Sequence, residues 1–409
     1  MVSTISIFTP TSFPGLSGLI YSTYNKIFMP TLGTCSLSVH CGDSLFFRVA
    51  NNLDDAGTIV RDFSLGVDSI RYSLRCGLGD HASNYSVKAR LLAYRNSITD
   101  EWSVDSGKPR YLYHQGELYT KSLETQQYLC WLLLLLGYGF TPEDAILVCR
   151  AAQLAIPRGT WPKKYKYFST LKSLLRLDLR ADSRLFPRMC QKKLVIYPVL
   201  PSYKWILKVI LRSVSTVQLR VKEADVGDLE SQIRASSILA RKTGTQLFIN
   251  DHWKLAIKCG AYGVHLGQED VQSADIEMIR QSGMRLGIST HGYYEILISA
   301  GFLPSYIALG HIFPTPTKHM VSVPQGLGRL FLYQRFIDGI CDELNLGFPT
   351  VAIGGIDLNN AKEVMACGVS SIAVVRAITE ATQLDVSLSQ FSTIVKHGKE
   401  RKYADTVGC

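Results

Sequence analysis

In the second half of the sequence, polar residues of a few kinds recur, each directly after a short apolar run. Gln218, Arg220 and Lys222 stand in QLRVK, Asn250-Asp251 close off TQLFIN, Asp270 follows YGVHL, and Ser289-Thr290-His291 follow MRLGI. Thr315, Thr317 and Lys318 lie in GHIFPTPTKH after YIALG, Gly354-Gly355 end PTVAIGG, and Val375-Arg376 stand at the end of SSIAVV. Two aspartates suit a hard divalent cation. Mg²⁺ takes one or two protein carboxylates and completes its shell with water and substrate phosphate oxygens. Arg220, Lys222 and Lys318 suit the remaining charge of a diphosphate. The glycine pair and the turn after the last run offer backbone N–H groups to a phosphate. Each feature has a plainer reading, since a strand-end Asp caps helices, Gly-Gly makes tight turns and Thr-Pro-Thr is ordinary turn chemistry. Their convergence on one face is what points to phosphate chemistry.

That convergence requires a particular set of elements. Eight β-rich runs occupy 194–200, 214–220, 245–250, 262–266, 284–290, 306–310, 349–355 and 370–375, with helical stretches between most of them. Continuous apolar strands alternating with amphipathic helices imply a parallel sheet covered on both faces. Eight such units in about 200 residues predict a closed (β/α)8 barrel, whose chemistry sits at the C-terminal strand ends. The fold class expected is therefore α/β. Among the histidines, His265 lies inside a strand and reads as a packed core residue. His291, His311 and His319 fall near the mouth at no metal-binding spacing, which leaves a histidine base as a secondary option.

Length and composition bound the rest. At 409 residues the chain has room for two or three domains, and 46% hydrophobic with 19% charged residues excludes disorder, collagen and a disulfide miniprotein. The net charge of +10 is spread over both halves; it suits anionic ligands and does not by itself call for nucleic acid. Ten scattered cysteines without a CxxC pair read as reduced thiols of a cytoplasmic chain. The longest apolar run, Tyr128 to Phe140, is shorter than a membrane span and reads as a buried helix. The opening MVSTISIFTPTSFPGLSG has no charged region ahead of its apolar stretch, against a secretory signal, while its Ser/Thr content leaves a plastid transit peptide as an alternative. Residues 141–158 predict an amphipathic helix with Thr141 as N-cap. Residues 158–188, with nine Lys/Arg and two Asp, read as a basic linker.

Seven motifs in order, QLRVK (218–222), LFINDHWKLAI (247–257), YGVHLGQED (262–270), RLGIST (285–290), YIALGHIFPTPTK (306–318), VAIGGI (351–356) and IAVVRAIT (372–379), resemble thiamine-phosphate synthase. The resemblance implies a TIM barrel that joins 4-amino-2-methyl-5-(diphosphooxymethyl)pyrimidine to 4-methyl-5-(2-phosphooxyethyl)thiazole. It also implies that Gln218, Leu219, Arg220, Val221, Lys222, Asn250, Ser289 and Lys318 contact the pyrimidine diphosphate, with Arg220, Lys222, Ser289 and Lys318 as the catalytic set. By the same resemblance Asp251 and Asp270 are Mg²⁺ ligands, and Thr315, Pro316, Thr317, Gly355, Val375 and Arg376 hold the thiazole phosphate. Arg376 departs from the family, which usually has Ser there; the Arg would strengthen the hold on the phosphate or fill the pocket.

The first half resembles, in GLSGLIYSTYNKIFMPTLGTCSLSV (15–39), VDSIRYSL (67–74), YLYHQGELYTKS (111–122) and LLLLLGYGFTPEDAILVCRAAQLAI (132–156), the ribokinase-like hydroxymethylpyrimidine phosphate kinases. That family's glycine-rich anion hole is replaced here by residues 124–130, ETQQYLC, so the domain is expected to be degenerate. The division expected is 1–185 kinase-like and 190–400 synthase barrel. Partners expected are phosphorylated pyrimidine and thiazole molecules, with no nucleic acid and no membrane, and a homo-oligomer is compatible with the sequence. Two other functions stay open at this point: an isomerase like the related thiazole tautomerase, and a non-catalytic phosphate-binding barrel.

Overall fold

A computed structural model describes residues 2–10, 15–42, 47–53, 57–65, 71–77, 83–92, 97–104, 110–115, 122–155, 160–162, 165–168, 170–171, 185–222, 225–315 and 323–407. The chain forms two compact units, Met1–Asp178 with Gly292–Leu297, and Leu179–His291 with Ile298–Cys409.

The first unit is built on one sheet. Its strands are β1 (Val2–Pro10), β2 (Ser36–Gly42), β3 (Phe47–Leu53), β4 (Gly57–Leu65), β5 (Arg71–Gly77), β6 (Ser83–Leu92), β7 (Ser97–Val104), β8 (Arg110–Gln115) and β9 (Thr170–Leu171). Their spatial order is β2-β1-β3-β4-β5-β6-β7-β8-β9. Only β1 and β2 run parallel; from β1/β3 to β8/β9 every pair is antiparallel. The ribokinase-like α/β domain expected for residues 1–185 is not what this sheet displays. The reason is chain length between strands. Links of three to five residues join successive strands from β2 to β8, and a parallel crossover needs about a dozen or more.

Two helices of this unit, Ser122–Gly137 and Pro142–Leu154, are buried along most of their length. The turn between them runs through Gly139 at φ +82. Thr141 caps the second helix as expected, its Oγ1 accepting from the Asp144 N–H at 3.2 Å with Pro142 next in line. Residues 124–130 lie inside the first helix rather than in a glycine turn. The Tyr128–Phe140 run is a buried helix and turn, and no helix among the described residues is long and apolar enough to cross a membrane. Most of the basic 158–188 stretch falls outside the described residues.

The second unit carries the barrel. Strands β10 (Ile196–Leu200), β11 (Thr216–Leu219), β12 (Gln246–Asn250), β13 (Gly263–Leu266), β14 (Arg285–Thr290), β15 (Tyr306–Gly310), β16 (Thr350–Ile353) and β17 (Ser371–Val374) close in sequence order, all parallel. Each lies within one of the eight runs named from the sequence. Inside, the rings of Tyr197, Phe248 and Tyr306 meet edge to face, with centroids 5.1–5.9 Å apart. Such pairs add to area burial because the positive ring edge faces the negative ring face. Room for them comes from one strand position without a side chain. A Cβ at Gly287 on β14 would fall 2.2 Å from the Tyr306 ring, so glycine is the residue that lets this tyrosine fill the interior.

Candidate active site

All of the polar residues described at the strand ends lie on the C-terminal rim, because parallel strands present the same end to the same face. After β11, the Arg220 N–H donates to the Leu200 carbonyl at 2.8 Å, carrying the ladder one residue beyond the strand. Gln218 is buried inside the barrel and Leu219 is buried beside it, whereas Arg220 and Val221 are half-buried and Lys222 is exposed. On β12, Asn250 donates its side-chain amide to Asp251 Oδ2. Asp251 stands at φ +62, a left-handed conformation that only Gly, Asn and Asp adopt readily. The Asp251 N–H is held by the His265 carbonyl at 2.9 Å, which ties the end of β12 to β13. Asp270 lies in the first turn of the helix Gln268–Ser273 that follows β13. The two aspartates thus follow adjacent strands.

This donor set fits magnesium. Among the described residues no group of three or more His, Cys, Asp and Glu side chains converges on a metal position. As hard oxygen donors, two carboxylates suit a cation that also takes phosphate oxygens and water.

Ser289 on β14 is held on both sides. Its Oγ lies 2.8 Å from His265 Nε2, and its carbonyl accepts from Gln268 Nε2 at 2.6 Å. Thr290, by contrast, turns its hydroxyl to the Ala308 carbonyl at 2.9 Å and serves the strand pair. His265 is buried as a core residue should be, yet both ring nitrogens are engaged: Nδ1 lies 2.7 Å from the Tyr306 hydroxyl. Tyr306 in turn meets the Tyr197 hydroxyl at 2.8 Å, and Gln218 Nε2 donates to Tyr197 at 3.3 Å. Sequence patterning does not single out Tyr197, Tyr306 or Gln268. The available signal is a hydroxyl-bearing or amide side chain in an otherwise apolar run, once at β10, once at β15 and once directly after β13.

On the opposite arc, Gly354 and Gly355 have φ of +105 and +63. A Cβ on Gly354 would lie 2.4 Å from His311 Cβ, and one on Gly355 would lie 2.6 Å from the Pro314 carbonyl. The glycine pair is therefore pressed against the loop after β15, and Asn360 Nδ2 pins the Gly355 carbonyl at 3.0 Å. Thr315 and Val375 are half-buried nearby in sequence order on the same rim. Arg376 begins the short helix Arg376–Thr379, and its side chain is exposed rather than packed into the barrel. Pro316, Thr317, Lys318 and His319 lie outside the described residues.

His311, next to the glycine pair, is buried and its Nδ1 has no partner among the described residues. Burial, with His291 adding a smaller push, lowers its pKa from 6.5 to about 4. The folded protein thus holds a neutral ring where the unfolded chain would hold a charged one between about pH 4 and 6.5. In that window the unfolded chain binds more protons, so stability rises with pH and is lost as pH falls. Denaturant midpoints measured from pH 7 down to pH 5 are expected to decrease, and His311→Asn to flatten that slope. A slope equal to wild type in the variant would show that this ring is not its source.

A closed parallel barrel with carboxylates, cations and glycine amides on its C-terminal rim belongs to the class of phosphate-handling TIM-barrel enzymes. Comparison narrows the class. The family described as "Thiamine monophosphate synthase" matches residues 196–378. Thiamine-phosphate synthase of Yersinia pestis (strain Pestoides F) is 47% identical over 210 residues, 51% of this chain and 94% of that protein. The thiamine-phosphate synthase of Salmonella schwarzengrund is 48% identical over 208 residues, 51% of this chain and 95% of that protein. Among solved structures, a thiamine phosphate pyrophosphorylase from Pyrococcus furiosus aligns at 25% identity and TM-score 0.43, covering 51% of this chain and 98% of its own. The chain belongs to the thiamine-phosphate synthase family.

Proposed function

We propose that the synthase reaction of this barrel is divided among four groups on its rim. The activity is transfer of an alkyl group: the methylene carbon of the pyrimidine loses its bond to diphosphate oxygen, and the thiazole nitrogen forms a bond to that carbon. The products are thiamine phosphate and diphosphate. Gln218, Asn250 and Ser289 orient the pyrimidine, together with the backbone at Leu219 and Val221. Arg220, Lys222 and Lys318 neutralise charge that grows on the departing diphosphate. Asp251 and Asp270 would hold Mg²⁺, which supplies Lewis-acid stabilisation of the same leaving group when bound. Thr315, Pro316, Thr317, Gly355, Val375 and Arg376 receive the thiazole phosphate. The attacking nitrogen needs no proton removed, so holding two substrates in line carries much of the rate.

The observation that supports this division most is the rim itself. Polar residues after β11, β12, β13 and β14 form one arc, and the glycine pair after β16 with Val375-Arg376 after β17 forms another. An isomerase of the tautomerase kind would leave the paired aspartates and QLRVK without a task. A non-catalytic barrel blocked by Arg376 fits poorly with an exposed Arg376 side chain. The test is incubation of the purified protein with both phosphorylated precursors and Mg²⁺. Formation of thiamine phosphate and diphosphate in equal amounts is the expected result, and its absence would sink the reading. We place the reaction in the cytoplasm, with its two phosphorylated small molecules as partners; a homo-oligomer is compatible with it.

For residues 1–185 we propose an accessory role without kinase activity. Phosphoryl transfer needs backbone donors pre-arranged around the transferred group, and residues 124–130 are helical. The full chain incubated with ATP, Mg²⁺ and hydroxymethylpyrimidine phosphate is expected to release no ADP. Stoichiometric ADP and diphosphorylated product would overturn this.

A further inference from the structure

We propose that His265, Tyr306 and Tyr197 are positioning residues for the synthase reaction, acting through a hydrogen-bond chain inside the barrel that leaves the Ser289 hydroxyl as a donor to the pyrimidine substrate. The proposal rests on the reading of Ser289 and Gln218 as pyrimidine contacts.

The chain has five members on five strands. It runs from Gln218 on β11 to Tyr197 on β10, to Tyr306 on β15, to His265 on β13 and to Ser289 on β14, with contacts of 3.3, 2.8, 2.7 and 2.8 Å. Gln218, Tyr197, Tyr306 and His265 are all buried, and only Ser289 is part-exposed. Its direction follows from what each group can donate. A glutamine amide nitrogen is a donor only. The Tyr197 oxygen therefore accepts from Gln218, and within the chain the only acceptor left for its own proton is the Tyr306 oxygen. The Tyr306 proton then goes to His265 Nδ1. A neutral imidazole that accepts at Nδ1 carries its proton on Nε2. That N–H donates to Ser289 Oγ. Ser289 thus accepts from inside the barrel and keeps its own proton to donate at the rim. The group it faces must be an acceptor, either a ring nitrogen of the pyrimidine or a diphosphate oxygen.

A purely packing role does not account for this arrangement. Phenylalanine at 197 and 306 and an apolar residue at 265 would fill the same volume without burying polar groups that each require a partner. Both ends of the chain are site residues on separate strands. The chain fixes the hydroxyl proton of one and the amide orientation of the other before substrate arrives. The Gln268 amide on the Ser289 carbonyl adds a second constraint on the same residue.

The test is a double-mutant cycle in the full chain. Ser289→Ala is expected to lower kcat/KM for the pyrimidine diphosphate by about tenfold to a hundredfold, the range of a hydrogen bond to a charged group. His265→Asn, which retains an amide near Nδ1 and loses the Nε2 donor, is expected to do the same, with KM for the thiazole phosphate unchanged. The double variant should be no worse than Ser289→Ala alone. His265→Gln, whose amide reaches the Nε2 position, should recover most of the loss. Tyr306→Phe, which keeps the ring, is expected to lose several-fold in wild type and nothing further in the Ser289→Ala background, and serves if the His265 variants do not fold. Additive losses in the cycle, with Ser289→Ala itself impaired, would overturn the relay alone. Full activity of Ser289→Ala would overturn the assignment of Ser289, and the relay with it.

Discussion

Asp251→Asn is expected to lower turnover by roughly a hundredfold to a thousandfold, the scale of removing one pre-positioned electrostatic contact from a developing charge. Asparagine is the informative replacement. The backbone at 251 is left-handed, and Asn accepts that conformation nearly as well as Asp. The turn and the tie to the His265 carbonyl then survive, and the loss reports the carboxylate charge. Its partner Asp270 follows the next strand on the helix Gln268–Ser273, and Asp270→Asn is expected to fall on the same scale. Both variants should require more Mg²⁺ for half-maximal rate and should melt with wild type. Measurement is of turnover across a Mg²⁺ titration. Near-wild-type turnover at low Mg²⁺ in either variant would remove that residue from the metal site.

Arg220→Gln is expected to cost about tenfold to a hundredfold in kcat/KM for the pyrimidine diphosphate, corresponding to about 1.5–3 kcal/mol for one charge-assisted contact. Its KM for the thiazole phosphate should stay at the wild-type value. The expectation comes from position. Arg220 is anchored through its own N–H to Leu200 at the end of β10, beside the buried Gln218 and on the arc that bears Asp251 and Ser289. The glycine pair and Arg376 stand after β16 and β17. Steady-state kinetics with each substrate varied in turn decide the matter. Equal weakening toward both substrates would mean that the two phosphates do not occupy separate subsites.

The barrel is legible in the sequence because parallel strands covered on both faces are written as continuous apolar runs, and the polar residues that interrupt them mark the rim. Asp251, Ser289 and Gly355 are visible for that reason. The same continuity conceals which strand residues point inward. Nothing in LVIYPVL or YIALG says that Tyr197 and Tyr306 meet across the interior, since the register that joins them is set by closure of the barrel. His265 reads as a core residue, and its burial agrees, but its two partners, Ser289 and Tyr306, come from the two strands that follow it, and a run of apolar residues does not show which of their side chains point inward. In the first half, the family resemblance runs against the chain's own spacing. Runs such as FRVANNL, GTIVRDFSL, RYSLRCG and SNYSVKARLL, separated by links of three to five residues, carry the hairpin signature of an antiparallel meander. Links of that length are too short for parallel crossovers, and they outweigh the resemblance.

Gly287 and Tyr306 share one volume, the space that a Cβ at 287 would occupy. Any lineage of this barrel that acquires a side chain at 287 must shrink or move the residue at 306, and the two positions are therefore bound to covary. The first step from this pair, in either order, passes through an overfilled or a hollow interior. Since Tyr306 also bridges Tyr197 and His265, that step disturbs a polar connection as well as a packing one. The Gly–Tyr pair is thus an evolutionary ratchet: easy to keep, and escapable only by changes at both positions together.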